Sequence, residues 1–217
     1  MTQAGSKLRT AVLVSGGGSN LQAIIDSAQR GELDIELVVV LSDKPEAYGL
    51  VRAREAGIAT GCILPADHPR RESFDAALLQ QLDRYRPGLV LLAGFMRILT
   101  PAFVSHYSGR LLNIHPSLLP GYPGLHTHRR VLEAGERWHG CTVHFVTETL
   151  DGGPRIIQGR VPVLPDDDAE RLAQRVLAVE HRIYPEAIRL LSAGRVRYAD
   201  GAAWLDGKRL DEPLQLN

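Results

Sequence analysis

Short, near-continuous apolar runs alternate with segments whose apolar residues recur every third or fourth position through the first two thirds of the chain. The first kind suits strands and the second amphipathic helices. The alternation therefore predicts repeated βαβ units: an α/β fold with a mostly parallel central sheet and helices on both faces. Ala11 to Val14 opens the series as a strand. Leu21, Ile24, Ile25 and Ala28 follow at helical spacing, with Ser19 and Gln22 in a capping-box arrangement and Gly31 as the stop. Ile35 to Leu41 is apolar almost throughout, as a strand covered on both faces must be. Ala47 to Ala56 predicts a helix and Cys62 to Leu64 a short strand. Glu72 to Tyr85 predicts a helix with Phe74, Leu78, Leu82 and Tyr85 on one face, and Pro87-Gly88 ends it before the run Leu89 to Ala93.

Arg110 to His115, Cys141 to Val146 and Arg155 to Val163 read as further strands, the last two bordering the turn Asp151-Gly152-Gly153-Pro154. A long helix from Asp168 to Leu191 follows, with Leu172, Val176, Val179 and Ile183 as its buried face and the acidic run Asp166 to Asp168 as a solvated start. Arg195 to Tyr198 and Ala202 to Leu205 predict a small C-terminal hairpin, and Gly121 to Gly140, punctuated by Pro and Gly, is a candidate mobile element.

A length of 217 residues with 44% hydrophobic content fits one domain over 1–217, with 1–8 as a loose N-terminal tail. Lys plus Arg equals Asp plus Glu at 25 each, which leaves no electrostatic footprint for nucleic acid or a membrane surface, so an anionic ligand must be held locally. The first eight residues lack the apolar region of a secretion signal, and no window approaches the roughly 20 apolar residues of a membrane span. Cys62 and Cys141 are too few for a disulfide framework and are expected as buried small apolar residues. The expectation is a cytoplasmic protein of small-molecule substrates, and a homodimer is compatible with it.

Chemistry concentrates where strands end, since ligands of such sheets bind beyond the strand carboxyl ends. Ser15-Gly16-Gly17-Gly18-Ser19-Asn20 leads from a strand into a helix, and its glycines let main-chain N–H groups approach an anion. It is neither a dinucleotide fingerprint nor a P-loop, although Asp43 stands near where a nicotinamide enzyme needs an acidic residue. Asn113 and His115 alternate onto one face of a strand closed by Pro116, where a carboxamide and an imidazole can converge on one oxygen. Asp151 reads either as a turn residue bonded to its own backbone or as a carboxylate orienting His115. His126, His128, His139 and His144 have no metal-site spacing, and no nucleophile elbow is present.

Taken in order, Ser15 to Ile24, Ala93 to Leu99, Leu112 to Pro120 and Leu150 to Gly153 resemble the folate-dependent phosphoribosylglycinamide formyltransferase family, a likeness running from about Thr10 to Lys208. The resemblance implies a Rossmann-like formyltransferase fold and transfer of a formyl group from 10-formyltetrahydrofolate to the amine of 5'-phosphoribosylglycinamide, with no metal. It implies Asn113, His115 and Asp151 as catalytic residues. Gly18, Ser19, Asn20, Gly94, Met96, Pro116 and Glu180 fall on the acceptor site, Glu180 flanking the apolar face of the long helix. Arg71, Leu92, Met96, Arg97, Ile98, Leu99, Asn113, Val146 and Asp151 fall on the folate site. Two positions depart from some relatives: Gly17, where they carry Asn or Ser, and Leu177, where they carry a polar or basic side chain. A non-catalytic nucleotide-binding module and a hydrolase of the formyl donor are the competing readings.

Overall fold

Leu8–Val14, the first apolar run, forms β1 of the computed structural model, which describes residues 7–216. Leu8, assigned to the loose tail, is thus already in the sheet, and residues 1–6 of that tail lie outside the described residues. The chain divides into two units, Met1–Arg97 and Ile98–Asn217. The first holds β1, α1 (Ser19–Gln29), β2 (Ile35–Ser42), α2 (Tyr48–Glu55), β3 (Thr60–Cys62), α3 (Arg71–Tyr85) and β4 (Leu89–Leu92). All its strands are parallel, in the order β4-β1-β2-β3. Ala11 to Val14 are fully buried at its centre, and Leu21 and Ile24 of α1 are equally excluded from water. Each Val, Leu and Ile side chain among them contributes roughly 1.5–3 kcal/mol of burial.

Two local expectations fail here. The N-cap of α1 is Gly18 rather than Ser19, at φ 68, and no side chain caps the helix. The glycine turn starts the helix one residue early, so Ser19 lies inside it and the Gln22 side chain bonds Asp26 instead. Cys62 is exposed, because β3 is the sheet's edge strand; Cys141 is buried as expected.

The second unit holds α4 (Pro101–His106), β5 (Leu111–His115), α5 (Thr127–Glu133), β6 (Trp138–Phe145), β7 (Arg155–Pro162), α6 (Ala169–Ser192), β8 (Val196–Ala199), β9 (Ala202–Leu205), β10 (Lys208–Arg209) and β11 (Leu214–Leu216). Here the parallel pattern breaks, since β6 runs antiparallel to both β5 and β7. A short turn joins β6 to β7, and only an antiparallel pair can be closed that way. The C-terminal hairpin β8–β9 gains β10 as a third strand, and β11 pairs parallel with β7. Helix α5 lies inside the segment marked as a mobile candidate, where Arg130 donates to Pro123 O at 2.6 Å and Tyr122 to Glu136 at 2.7 Å. Asp168 caps α6 by accepting from Arg171 N at 2.8 Å, while Asp167 pairs with Arg175 rather than with solvent alone.

Candidate active site

In the first unit, the parallel register aligns the ends of β1, β2 and β4. The glycine loop leaves β1 there and is held from behind by α2: Gly49 N donates to Gly16 O at 3.0 Å, and Arg52 Nε to Gly17 O at 2.8 Å. A Cβ on Gly18 would stand 2.6 Å from Gly49 Cα, so this position needs glycine both for its left-handed φ and for the contact. Gly18 is the N-cap of α1, so the first N–H groups of that helix fall at this loop, and a helix start can hold an anion. A Cβ on Gly17 would meet nothing within 4 Å, so this position has room for a side chain.

The same unit places Leu92 at the end of β4, buried, followed by Gly94 at φ 75 and by Met96, whose side chain is 65% exposed. Arg97 stacks its guanidinium 4.2 Å over the Phe74 ring. Arg71 is exposed at the first turn of α3.

In the second unit, β5 carries Asn113 and His115 to its end, before Pro116. The turn after β6 brings Asp151 over them. It can do so because a Cβ on Gly153 would overlap Phe145 O, so the chain doubles back only with glycine there, and Asp151 itself sits at φ 50. The Asp151 side chain is buried, with Oδ2 3.4 Å from His115 Nδ1 and accepting from Gly124 N at 2.8 Å. Asp151 thus contacts His115, and its carboxylate takes a main-chain N–H from Gly124 rather than from its own turn. His115 Nε2 faces Tyr122 O at 3.0 Å, and because a carbonyl only accepts, Nε2 carries the proton. A protonated ring would face an acceptor at each nitrogen.

His144, which sequence reasoning left among unassigned histidines, completes the cluster. It stands directly opposite Asn113 across the β5–β6 ladder, and its Nδ1 donates to Phe145 O at 2.9 Å. Nε2 is therefore the acceptor for the Asn113 carboxamide N–H, at 3.2 Å. That bond settles which end of the amide faces His144 and leaves a second N–H for a ligand. Burial pushes His144 below the ordinary histidine range, keeping it neutral for this task. The signal was available only to a reader who knew that β6 pairs antiparallel to β5.

Val146 follows β6, half-buried, with its N–H on Leu111 O at 2.9 Å; Ile98 is exposed and Leu99 buried. Glu180 does not flank the apolar face of α6 but is buried within it, 7% exposed, one turn beyond the half-buried Leu177. Val179, expected in that face, is only half-buried. His128 Nδ1 and His139 Nε2 bond each other at 3.0 Å. Among the described residues no three His, Cys, Asp or Glu are grouped to hold a metal ion, and no helix is long and apolar enough to cross a membrane.

Known proteins are similar to this chain in sequence and in fold. Residues 8–188 match the family model described as formyl transferase. The chain is 55% identical over 199 residues to phosphoribosylglycinamide formyltransferase of Escherichia coli, covering 92% of this chain and 94% of that protein. The structure of phosphoribosylglycinamide formyltransferase from Coxiella burnetii superposes with a TM-score of 0.93 at 50% identity, covering 97% of this chain and 99% of the other. Glycinamide ribonucleotide transformylase 1 from Symbiobacterium toebii gives a TM-score of 0.90 at 49% identity, over 93% and 95% of the two chains.

Proposed function

The chain belongs to the formyl transferase family, and from that premise we propose how its residues divide the work. The activity is transfer of the formyl group of 10-formyltetrahydrofolate to the amine of 5'-phosphoribosylglycinamide, giving 5'-phosphoribosyl-N-formylglycinamide and tetrahydrofolate in de novo purine biosynthesis. Gly18, Ser19 and Asn20 take the acceptor's phosphate, and Gly94, Met96, Pro116 and Glu180 complete the acceptor site. Leu92, Met96, Arg97, Ile98, Leu99 and Val146 take the folate ring system, with Arg71 toward its anionic end. Met96 and Ile98, 65% and 57% exposed, offer the kind of bare apolar surface that a flat aromatic group covers. The whole chain acts as one formyltransferase, in the cytoplasm, and its acceptor and donor sites need no nucleic acid, membrane or metal; a homodimer is compatible with this scheme.

The observation that carries the mechanism is the connected set Asn113, His115, His144 and Asp151. As the acceptor amine adds to the formyl carbon, negative charge develops on the formyl oxygen. Asn113 supplies its remaining N–H to that oxygen, held at the right angle by His144. His115 supplies a second, charge-assisted donor by exchanging Tyr122 O for the same oxygen. Asp151 steadies the ring at Nδ1 and helps pass the amine's proton, by way of water, to the departing folate nitrogen. The deciding assay follows folate absorbance with both substrates and with the donor alone. Product formation that requires 5'-phosphoribosylglycinamide supports this reading; product formation without it makes the protein a hydrolase, and nucleotide binding without any product makes it a binding module.

A further inference from the structure

Asp43, the residue after β2, is a buried carboxylate, 6% exposed, that takes no part in the chemistry above. It lies beside Ser15, itself 5% exposed at the end of β1, whose hydroxyl donates to Asp43 Oδ1 at 2.6 Å. A hydroxyl committed to a carboxylate cannot rotate, so its lone pairs have a fixed direction. One of them accepts the Met96 N–H at 2.8 Å, while the Ser15 main-chain N–H donates to Gly94 O at 3.1 Å. A single residue therefore grips both sides of the turn Gly94 to Met96, and Asp43 sets the angle of that grip.

We infer that Ser15 and Asp43 are a positioning pair for the formyl-transfer reaction, holding the Gly94–Met96 turn, and with it the stretch from Met96 to Leu99, in the form that receives the folate donor. The inference rests on the assignment of that stretch to the donor site. Two features favour positioning over simple core packing. Both groups are polar and buried at strand ends, where apolar residues would fill the space at less desolvation cost. The turn they hold has Gly94 at φ 75 and buries Phe95 but presents a largely exposed Met96, whose main chain is held by the Ser15 hydroxyl rather than by burial of its own side chain. Asp43, placed where a dinucleotide enzyme carries a ribose-binding acid, is instead engaged with the protein's own hydroxyl.

The test compares Ser15→Ala, Asp43→Ala, Asp43→Asn and the double alanine variant by steady-state kinetics and by hydrogen exchange of the Met96 amide. Loss of one buried hydrogen bond should raise the donor KM about tenfold in Ser15→Ala, leave kcat within about threefold, and speed Met96 exchange. Asp43→Ala should do the same, the double variant no worse, and Asp43→Asn, which keeps an acceptor for the hydroxyl, should recover most of the loss. A wild-type donor KM with wild-type Met96 exchange in Ser15→Ala overturns the inference. If Ser15→Ala does not fold, equal donor KM values in Asp43→Ala and Asp43→Asn overturn it instead. Ile98→Ala, an exposed change inside the stretch, separates the two levels. A raised donor KM there with no response to Ser15→Ala defeats the pair alone. An unchanged donor KM there, with Met96 exchange faster in Ser15→Ala, defeats the donor-site assignment and leaves the grip on the turn standing.

Discussion

The glycine loop of the first unit presents main-chain N–H groups, fixed by Gly18 and by Gly49 and Arg52 behind it, whereas the cluster of the second unit presents side chains drawn from a strand, its neighbour and a turn. The loop can bind a constant shape such as phosphate, but it has no group that changes protonation. The cluster sets two imidazoles 3.4 and 3.8 Å from one carboxylate, which is the grouping that a reaction that moves a proton needs. Binding and chemistry are thus sensitive to different damage: the loop to added volume and forbidden φ, the cluster to removed functional groups.

The sharpest test of that division is in the cluster. Asn113→Ala and His115→Ala each remove a donor to the developing oxyanion and should lower kcat by about 10²–10³. Acceptor KM should stay within a few-fold. Asp151→Asn should lower kcat less, since an amide still accepts from Gly124 N. His144→Phe, which leaves Asn113 in place but frees its amide to turn, should fall between wild type and Asn113→Ala. If His144→Phe matches wild type in kcat, the orienting role assigned to it is wrong.

In the loop the expected effect is smaller and appears in a different constant. Gly18→Val puts a branched side chain at φ 68 with its Cβ 2.6 Å from Gly49 Cα, and should raise acceptor KM at least about tenfold while sparing the donor KM. Gly17→Ser, one residue away, adds a Cβ that meets nothing within 4 Å and should stay within about twofold of wild type in both constants. Equal losses in the two variants would show that the loop is sensitive to any side chain, and the contact with α2 would not be the cause.

The same contrast governs what could be read from the sequence. The glycine loop was legible because its residues are contiguous, and β1, β2 and β4 were legible because each carries an apolar run; β3, expected at Cys62 to Leu64, lies at Thr60–Cys62, where Thr-Gly-Cys carries no apolar signal. Even there the cap moved from Ser19 to Gly18, since a left-handed glycine leaves no trace in hydrophobic spacing. Asn113 and His115 were visible as a same-face pair on one strand. Their partners were not: His144 depends on the antiparallel register of β5 with β6, and Tyr122 and Gly124 contribute main-chain atoms, which any residue type could supply. Glu180 was placed at the edge of an apolar face because a carboxylate within such a face contradicts the period, and its burial comes from tertiary packing. Helices α4 and α5 were missed because segments of 6 and 7 residues are too short to show a helical period.

Stability in acid separates the two regions again, by a smaller margin. Burial and the neighbouring His128 push His139 down to about 4, and burial pushes His128 down too, so both are neutral in the folded protein at pH 7. The unfolded chain binds protons on these residues near the usual 6.5. For His139 the unfolded state therefore holds more protons between about 6.5 and 4, and stability falls as pH falls through that window, by at most about 1.4 kcal/mol per pH unit and less after solvent screening; His128 acts in the same direction. Protonation of either ring also puts charge on the His128–His139 bond that ties α5 to β6. Hydrogen exchange at pH 5 against pH 7 should show α5 losing protection before α1; equal loss in both would place the acid-sensitive groups elsewhere.

The smallest effect is expected at Arg71. Its side chain is exposed at the first turn of α3, in the same unit as the glycine loop, but it is assigned to the anionic end of the donor and not to the acceptor's phosphate. An exposed ion pair contributes about 0.2–1 kcal/mol, so Arg71→Ala should raise donor KM by no more than about fivefold and leave acceptor KM unchanged. Because water and ions screen such a contact, the difference between Arg71→Ala and wild type should shrink as salt is raised from 0.05 to about 0.5 M. Gly18→Val should keep its full effect over the same range, since a steric contact is not screened. If the Arg71→Ala change appears in the acceptor KM instead, this arginine serves the phosphate and the division of the first unit into a main-chain phosphate cradle and a separate donor site has to be redrawn.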